Sequence, residues 1–388
     1  MVDQRDRRAR SAIAGAYFTQ GLCFAALLTQ VSVLQEKFRF STGELSLVLL
    51  AVPVVAGVGS VLAGVLAGRA GSAVVLRIGG IGVCGAITAA GLAGSRPVLY
   101  VVLAAVGLFL GMVDATMNMQ GVAVQRRYGR PLLASLHGVW SAGGIAGALA
   151  TAVTAHWHWP LPYQLGTVAA VGAGIALSAG PRLLAPVEEA APAPVGGASR
   201  VPWPPIIAVG TAMMLVFIAD SATSNWSAVY LHGDLGGSQS VAALGLAAYQ
   251  TCMVVGRSLA DRLVARHGAV RAVGAGASLG VVGLLLVAVA GSPAPGIAGF
   301  AVLGLGLCVV VPQSYSVAGA LDPAGTGIAV ARVNLFNYVG FVVGAALVGT
   351  VAERWGLRWA FAVPAALTVG TVMLARSFRP PLGAAHRD

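Results

Sequence analysis

The chain has 388 residues, of which 57% are hydrophobic and only 10% are charged, and its mean hydropathy is +0.83. A soluble globular protein carries about 25% charged residues, so this composition excludes a water-soluble globule and indicates a chain surrounded by lipid. The net charge of +11 does not indicate a nucleic-acid partner, because the cations lie in the short breaks between apolar segments.

Twelve apolar stretches recur along the chain, and a helix of about 20 such residues crosses a bilayer. In chain order, segments 1 to 12 are predicted at 11–34, 44–67, 73–93, 98–124, 132–155, 161–183, 204–231, 240–264, 269–291, 295–320, 325–351 and 357–378. The apolar run of segment 1 exceeds the roughly 7–15 residues of a signal peptide, so we interpret it as a membrane helix. The predicted fold is an all-α membrane protein with twelve transmembrane helices.

The positive charges orient these segments. With the N-terminus placed in the cytoplasm, 19 of the 24 Lys and Arg residues fall on the cytoplasmic side and 5 on the outer side. Short cytoplasmic loops of membrane proteins carry the excess of Lys and Arg. Both termini are therefore predicted to be cytoplasmic.

The first half contains one acidic residue in mid-membrane. Asp114 lies about seventeen residues into segment 4, where a carboxylate costs roughly 2.5–3.5 kcal/mol and usually faces a cavity. We predict that it carries a proton; the alternative is an acid paired to stabilise helix packing. Asn118 shares its helix face, where its amide could hold the carboxylate. Asn118 and Gln20, in segment 1, are candidate substrate contacts.

His137 is a further candidate for proton coupling. It lies in the inner third of segment 5, about 10 Å in depth from Asp114 at 1.5 Å per residue. A direct proton relay between the two would need water. The alternative is a histidine that only bonds a backbone carbonyl.

A stretch rich in Pro, Ala and Gly at 185–203 separates segments 6 and 7. Such a composition is typical of a flexible linker, here on the cytoplasmic side. The predicted domains are thus an N-terminal half at 1–184 and a C-terminal half at 204–388.

The second half has its own deep acid, Asp220 in segment 7. We predict that it contacts the substrate or a proton, or holds an Arg or His partner across the domain interface; the alternative is a purely structural acid. Arg332 in segment 11 could bind an anionic substrate or extend to the headgroups. The other candidate substrate contacts are polar or aromatic: Asn225, Trp226, Tyr249, Gln250, Gln313, Tyr315, Asn334, Asn337 and Tyr338.

Each of these side chains alone could be a helix–helix hydrogen bond worth about 0.6 kcal/mol. As a set, they favour a polar lumen. The four cysteines lie inside apolar segments without C-x-x-C spacing, and glycine pairs such as Gly304 and Gly306 lie in continuous helices. We therefore predict no metal site, no cofactor and no enzymatic activity.

Two internal similarities relate the halves. The sequence Gly64–Arg69 after segment 2 is similar to Gly256–Arg262 after segment 8, about 190 residues later. Glycines at 143 and 147 match glycines at 340 and 344 at a constant offset of 197. These repeats predict two pseudo-symmetric six-helix halves in parallel orientation.

The Gly-x-x-x-Ala-Asp-Arg sequence after segment 8, with the two halves and the central linker, resembles the major facilitator superfamily over essentially the whole chain. In that family, an acid in the signature after helix 2 bridges the halves in the outward-open state. Here Gly68 stands at that position, while the second copy retains Asp261. The resemblance implies gating roles for Arg69, Asp261 and Arg262; the alternative for the two arginines is anchoring at the headgroups.

Three stretches, Asp114–Gly121, Leu136–Gly144 and Asn225–Leu231, are similar to bacterial transporters grouped near the fucose permease. In that group a carboxylate on helix 4 serves proton coupling, and Asp114 matches it in position. The helix 7 motif usually has an aspartate where this chain has Asn225, and segment 1 lacks the acid that fucose permease uses. The sugar specificity is therefore not carried over.

The predicted function is secondary transport of a small polar or amphipathic solute, coupled to protons, by a monomer in the inner membrane of a bacterium. The alternatives are proton-driven efflux of drug-like compounds and a non-transporting membrane receptor or scaffold. The predicted partners are the solute, protons and the lipid bilayer.

Overall fold

The protein is described from a computed structural model that covers residues 3–189, 201–322 and 324–379. Within these ranges it is helical, with short 3₁₀ and π turns and no strand. The first helices are α1 (Gln4–Leu28), α2 (Val31–Phe38), α3 (Thr42–Ala70), α4 (Ser72–Leu92), α5 (Arg96–Tyr128), α6 (Leu133–His156), α7 (Leu161–Ala179) and α8 (Pro186–Glu189). The others are α9 (Trp203–Val229), α10 (Gln239–His267), α11 (Ala269–Val289), α12 (Pro293–Leu307), α13 (Val310–Ala320), α14 (Ile328–Trp355) and α15 (Leu357–Leu374).

Eleven helical spans in the described ranges are long and apolar enough to cross a membrane. The helix α10 is not among them, because polar residues at 249–251 and the charged residues Arg257, Asp261 and Arg262 lower its hydropathy. Its 29 residues nevertheless extend about 43 Å at 1.5 Å per residue, more than the roughly 30 Å of a hydrocarbon core. The protein is therefore a multi-pass membrane protein.

Two predicted segments are interrupted in the structure. Segment 1 becomes α1 and α2, with the chain turning at Thr29 and Gln30. Segment 10 becomes α12 and α13, because Pro312 has no N–H to donate to the carbonyl of Cys308. Hydropathy detects the apolar stretch and not the helix ends, so α1 also begins seven residues before its segment.

Residue contacts divide the chain into two compact units. Unit 1 comprises Met1–Arg130, Leu136–Ser199 and Asp322–Asn334, and unit 2 comprises Pro131–Ser135, Arg200–Leu321 and Leu335–Asp388. In unit 1, α4 and α5 pack together, α3 packs on α5, and α7 packs on α1 and α4. In unit 2, α12 packs on α10 and α11, and α15 packs on α9 and α11.

Glycines allow a close helix crossing at an equivalent place in each unit. In unit 1 the glycines of α6 lie against main-chain carbonyls of α1, and in unit 2 the glycines of α14 lie against α9. A Cβ at any of these glycines would meet the facing backbone within 3 Å: Gly143 with Phe18, Gly147 with Leu22, Gly340 with Met214 and Gly344 with Ile218. The offset of 197 thus reflects the same small-residue packing in both units.

The helix ends follow the same offset. The capping serines Ser41 of α3 and Ser238 of α10 are 197 residues apart, as are Gly71 and Gly268, which end these helices with φ of +84° and +80°. A left-handed φ of this kind favours glycine. The two helices are therefore equivalent residue by residue along their length.

The first residues of the predicted linker are fixed to unit 1. Both carboxylate oxygens of Glu188 accept hydrogen bonds from Arg5, at 2.8 and 2.6 Å, and these bonds hold the pKa of Glu188 at about 2. Glu189 accepts from the Ser72 hydroxyl and the Gln120 amide, each at 2.7 Å. Its burial raises its pKa. The next part of the linker, at 190–200, lies outside the described residues.

Candidate functional site

The site in unit 1 is built around Asp114 on α5, which is half-buried. The amide nitrogen of Gln20 on α1 donates to Oδ1 of Asp114. The amide oxygen of Gln20 accepts a 2.5 Å hydrogen bond from the indole nitrogen of Trp140 on α6. One glutamine side chain therefore connects three helices.

A second set of contacts surrounds Asn118, one turn along α5. Its amide nitrogen donates to the main-chain oxygen of Asp114 at 2.8 Å, and its oxygen accepts from the Tyr17 hydroxyl at 2.7 Å. The ring of His137 packs edge-on against Tyr17, with ring centroids 5.2 Å apart. We predicted that the Asn118 amide would hold the carboxylate; the structure instead gives the Gln20 amide this role, because the Asn118 side chain folds back onto its own helix.

Tyr17 and Trp140 were not among the predicted site residues. Tyr17 lies three residues before Gln20 and is fully buried, and Trp140 lies three residues after His137. This spacing places each on the helix face of a predicted site residue, and it is the signal that could have found them.

The site in unit 2 is built around Asp220 on α9. The Tyr249 hydroxyl of α10 donates to Oδ1 of Asp220 at 2.5 Å. Arg257, one of the most buried charged residues at 8% exposure, interacts electrostatically with Asp220 and Tyr249. The sequence suggested an Arg or His partner across the domain interface; the arginine that interacts with Asp220 in the structure instead lies in the same unit.

The other predicted contacts on α9 and α10 are more open. The side chains of Asn225 and Gln250 are exposed, and the Asn225 amide donates to the main-chain oxygen of Ser221 at 2.7 Å. Trp226 is half-buried, and its Nε1 has no hydrogen-bond partner in the described part of the chain.

The predicted contacts on α13 and α14 differ in burial. Gln313 and Tyr315 of α13 are buried, and Nε2 of Gln313 has no partner among the residues described. On α14, Asn334 donates to the Ser60 hydroxyl at 2.9 Å, and both residues belong to unit 1. The rest of the predicted set on α14 comprises Arg332, Asn337 and Tyr338, of which the first two are half-buried and the last is buried.

A different arrangement surrounds Asp261, near the end of α10. Its two carboxylate oxygens accept from the backbone nitrogens of Ala134 and Ser135, at 3.1 and 2.8 Å. These amides lie in the first turn of α6, where helices leave unpaired N–H groups and attract negative charge. Asp261 therefore caps α6 within unit 2. Arg69 and Arg262, the other predicted gating residues, are exposed.

The residue of α3 equivalent to Asp261 is Gly64 and not Gly68 as expected from the local sequence, because the helices correspond at an offset of 197. A Cβ at Gly64 would lie 2.9 Å from that of Ala331, whereas nothing lies within 4 Å of one at Gly68. The first half thus lacks the acid at either position.

The start of α14 is capped by an acid that is close to it in sequence, unlike the start of α6. Asp322 is 2% exposed, and one of its carboxylate oxygens accepts from the backbone nitrogen of Gly327 at 2.7 Å and from the Thr326 hydroxyl at 2.9 Å. Arg126 interacts electrostatically with Asp322 and donates to the main-chain oxygen of Glu189 at 2.7 Å. The two equivalent helices, α6 and α14, therefore obtain their caps from different parts of the chain.

Replacing Asp261 by Ala is expected to destabilise the start of α6 by about 1 kcal/mol, the usual cost of a lost cap. The first turn of α6 should then open more often. The measurement is maleimide labelling of a cysteine introduced at Ser135, which should become faster in the variant. Asp234→Ala, at an exposed position, is the matched control. Equal labelling rates with Asp261 and with Ala at position 261 would show that Asp261 does not hold this turn.

The chain is similar to known transporters over most of its length. Residues 209–387 match the family model of the Major Facilitator Superfamily. The chain is 29% identical over 368 residues to an uncharacterised MFS-type transporter of Yersinia pestis, covering 93% of this chain and 94% of that protein.

Solved structures show the same fold. The crystal structure of FucP in the outward conformation gives a TM-score of 0.77 at 15% identity, over 95% of this chain and 98% of FucP; FucP is described in another crystal structure as the fucose:proton symporter of E. coli. The crystal structure of the human organic anion transporter TETRAN gives a TM-score of 0.75 at 15% identity, over 96% of this chain and all of TETRAN. The similarity to the Major Facilitator Superfamily predicted from the sequence is thus confirmed.

Proposed function

We propose that this chain is a transporter and not an enzyme, because it is similar to the Major Facilitator Superfamily at residues 209–387 and to an uncharacterised MFS-type transporter over 93% of its length. In this proposal it couples the movement of a small polar or amphipathic solute to the movement of protons. It works by alternating access as a monomer in the bacterial inner membrane, with both termini in the cytoplasm. In this proposal α10 is the twelfth crossing helix, and two six-helix halves are joined by the linker at 185–203.

The observation that carries the proposal is the environment of Asp114. An acid in the middle of a membrane helix is costly and is seldom retained without a function. Here it is half-buried, so it can exchange protons, and it contacts Gln20, which also contacts Trp140. A change in its charge would therefore act on three helices of unit 1.

Proton coupling is proposed for Asp114, with His137, whose ring packs on Tyr17, as a second titratable group that exchanges protons with it through water. Asp220 has a second set of charged and hydroxyl partners, so its proposed contribution is to hold the polar interior of unit 2. The names of the similar structures include a sugar symporter and an organic anion transporter, so they favour transport without favouring one solute.

Exposure separates the candidate substrate contacts. The side chains of Asn225, Gln250 and Asn337 are exposed or half-buried, and we propose them as direct contacts together with Trp226. Gln20, Tyr249 and Asn334 are buried and already bonded to protein groups. Their proposed role is to position the helices that carry the contacts.

The test is a flux measurement in proteoliposomes that contain a pH-sensitive dye. Sugars, organic acids and hydrophobic drugs are added in turn, and the expected result is that one class moves protons, inward for symport and outward for antiport. Protein-free liposomes and a protonophore are the controls. Solute flux without proton movement would contradict the coupling, and binding without any flux would favour a receptor.

A further inference from the structure

We propose that Gln20 is a positioning residue that favours the ionised form of Asp114 and transmits the charge of Asp114 to Trp140. This inference rests on the proposed function in one respect only, that Asp114 is the group that takes up and releases the transported proton.

The orientation of the Gln20 amide follows from its two partners. An indole N–H can only donate a hydrogen bond, so the Gln20 atom that faces Trp140 is the amide oxygen. The amide nitrogen must then face Asp114. An ionised carboxylate can only accept, and a donor placed against it stabilises the ionised form. Gln20 is itself 6% exposed, so water competes little for these bonds.

Protonation changes this arrangement. The bond from the Gln20 amide to a carboxylate is charge-assisted and about twice as strong as a bond to a neutral acid. If the proton is on Oδ1, this oxygen becomes a weaker acceptor, and an amide that turns to accept from the new O–H takes its oxygen away from Trp140. Either way the connection between α1, α5 and α6 weakens when Asp114 takes up a proton.

Other titratable groups could influence Asp114. On α1, Tyr17 interacts with it electrostatically, and on α6 the ring of His137 contacts Tyr17. On α4, Arg77 lines a small cavity with Gln20 and donates to the main-chain oxygen of Gly180.

The remaining elements packed on α5 carry their charges at the helix ends. The described acidic and basic residues of α3 are Glu44 and Arg69, near its two ends, and those of α8 are Glu188 and Glu189. Gln20 donates a hydrogen bond directly to the Asp114 carboxylate, and for this reason we assign the effect to it.

The test is infrared difference spectroscopy of the purified protein across a pH series, which detects the C=O stretch of protonated carboxyl groups. The band that Asp114→Asn removes belongs to Asp114. Gln20→Met keeps the size of the side chain but cannot donate, and it is expected to move the midpoint of this band by about one unit to higher pH, a tenfold increase in proton affinity. Gln30→Met, which removes a buried glutamine bonded to Gln164, should leave the midpoint unchanged.

Trp140→Phe gives a second reading if Gln20→Met does not fold. It removes the partner that orients the amide, so we expect a smaller shift in the same direction. An unchanged midpoint in the folded variants, or no Asp114 band that titrates in the wild type, would overturn the inference. Proton-driven transport that persists in Asp114→Asn would instead overturn the proposed function of Asp114, whereas the infrared midpoint would still decide the role of Gln20.

Discussion

Asp114→Asn is expected to abolish proton-driven accumulation of the solute and to leave exchange of labelled for unlabelled solute active. The neutral amide has the shape of the protonated acid, so the variant can adopt the proton-bound state but can never release a proton. Coupling needs the charged state, whereas exchange requires only a binding site that opens alternately to the two sides. We expect accumulation to fall to the level of protein-free liposomes.

The measurement compares both kinds of transport in the same proteoliposomes. Asp234→Asn, an aspartate in an exposed position, is the matched control and should behave as the wild type. Full gradient-driven accumulation in Asp114→Asn would exclude this residue as the proton carrier. Loss of exchange together with accumulation would point to a general defect in the transport cycle.

Asp220→Asn is expected to lower the melting temperature, because Asp220 interacts electrostatically with the buried Arg257. Removing a charge that compensates a buried cation costs up to about 3–5 kcal/mol. Tyr249→Phe removes only the hydroxyl that donates to Asp220, so its effect should be about 1 kcal/mol.

A double variant separates the two roles considered for Asp220. If Asp220 and Arg257 stabilise each other, combining Asp220→Asn with Arg257→Met should recover part of the lost stability, because no uncompensated charge remains. The measurement is thermal unfolding of the wild type, Asp220→Asn, Arg257→Met and the double variant, which together form a double-mutant cycle. Asp234→Asn again serves as the control. A normal melting temperature with weakened solute affinity would instead identify Asp220 as a substrate contact.

The sequence predicted the membrane helices well because an apolar run of about 20 residues matches the length of helix that crosses a bilayer. It did not predict the interruption within segment 10, although Pro312 was visible, because hydropathy averages over such a break. It misplaced the partner of Asp220 for a related reason. Arg257 lies in the part of segment 8 that also contains Asp261 and Arg262, where a loop cation and a buried cation have the same sequence context.

The candidate site in unit 1 was predicted in part. Asp114 is conspicuous because a carboxylate is rare in such a segment, and Gln20 and Asn118 are polar residues in apolar surroundings. Tyr17 and Trp140 are not conspicuous, because aromatic residues are common in membrane helices and only the fold shows which of them meet a polar partner. The equivalence of Gly64 with Asp261 was missed because similar short sequences suggested a shift of four residues relative to the helices.

The attachment of α8 determines where the polypeptide could be divided into two separately produced fragments. A cut before 185 would remove Glu188 and Glu189 from the N-terminal fragment and leave Arg5, Ser72 and Gln120 without the carboxylates they bind. A cut after Glu189 would keep these bonds within one fragment. For co-expression of the two pieces, the later position is therefore the one to choose, even though the composition of the chain changes earlier.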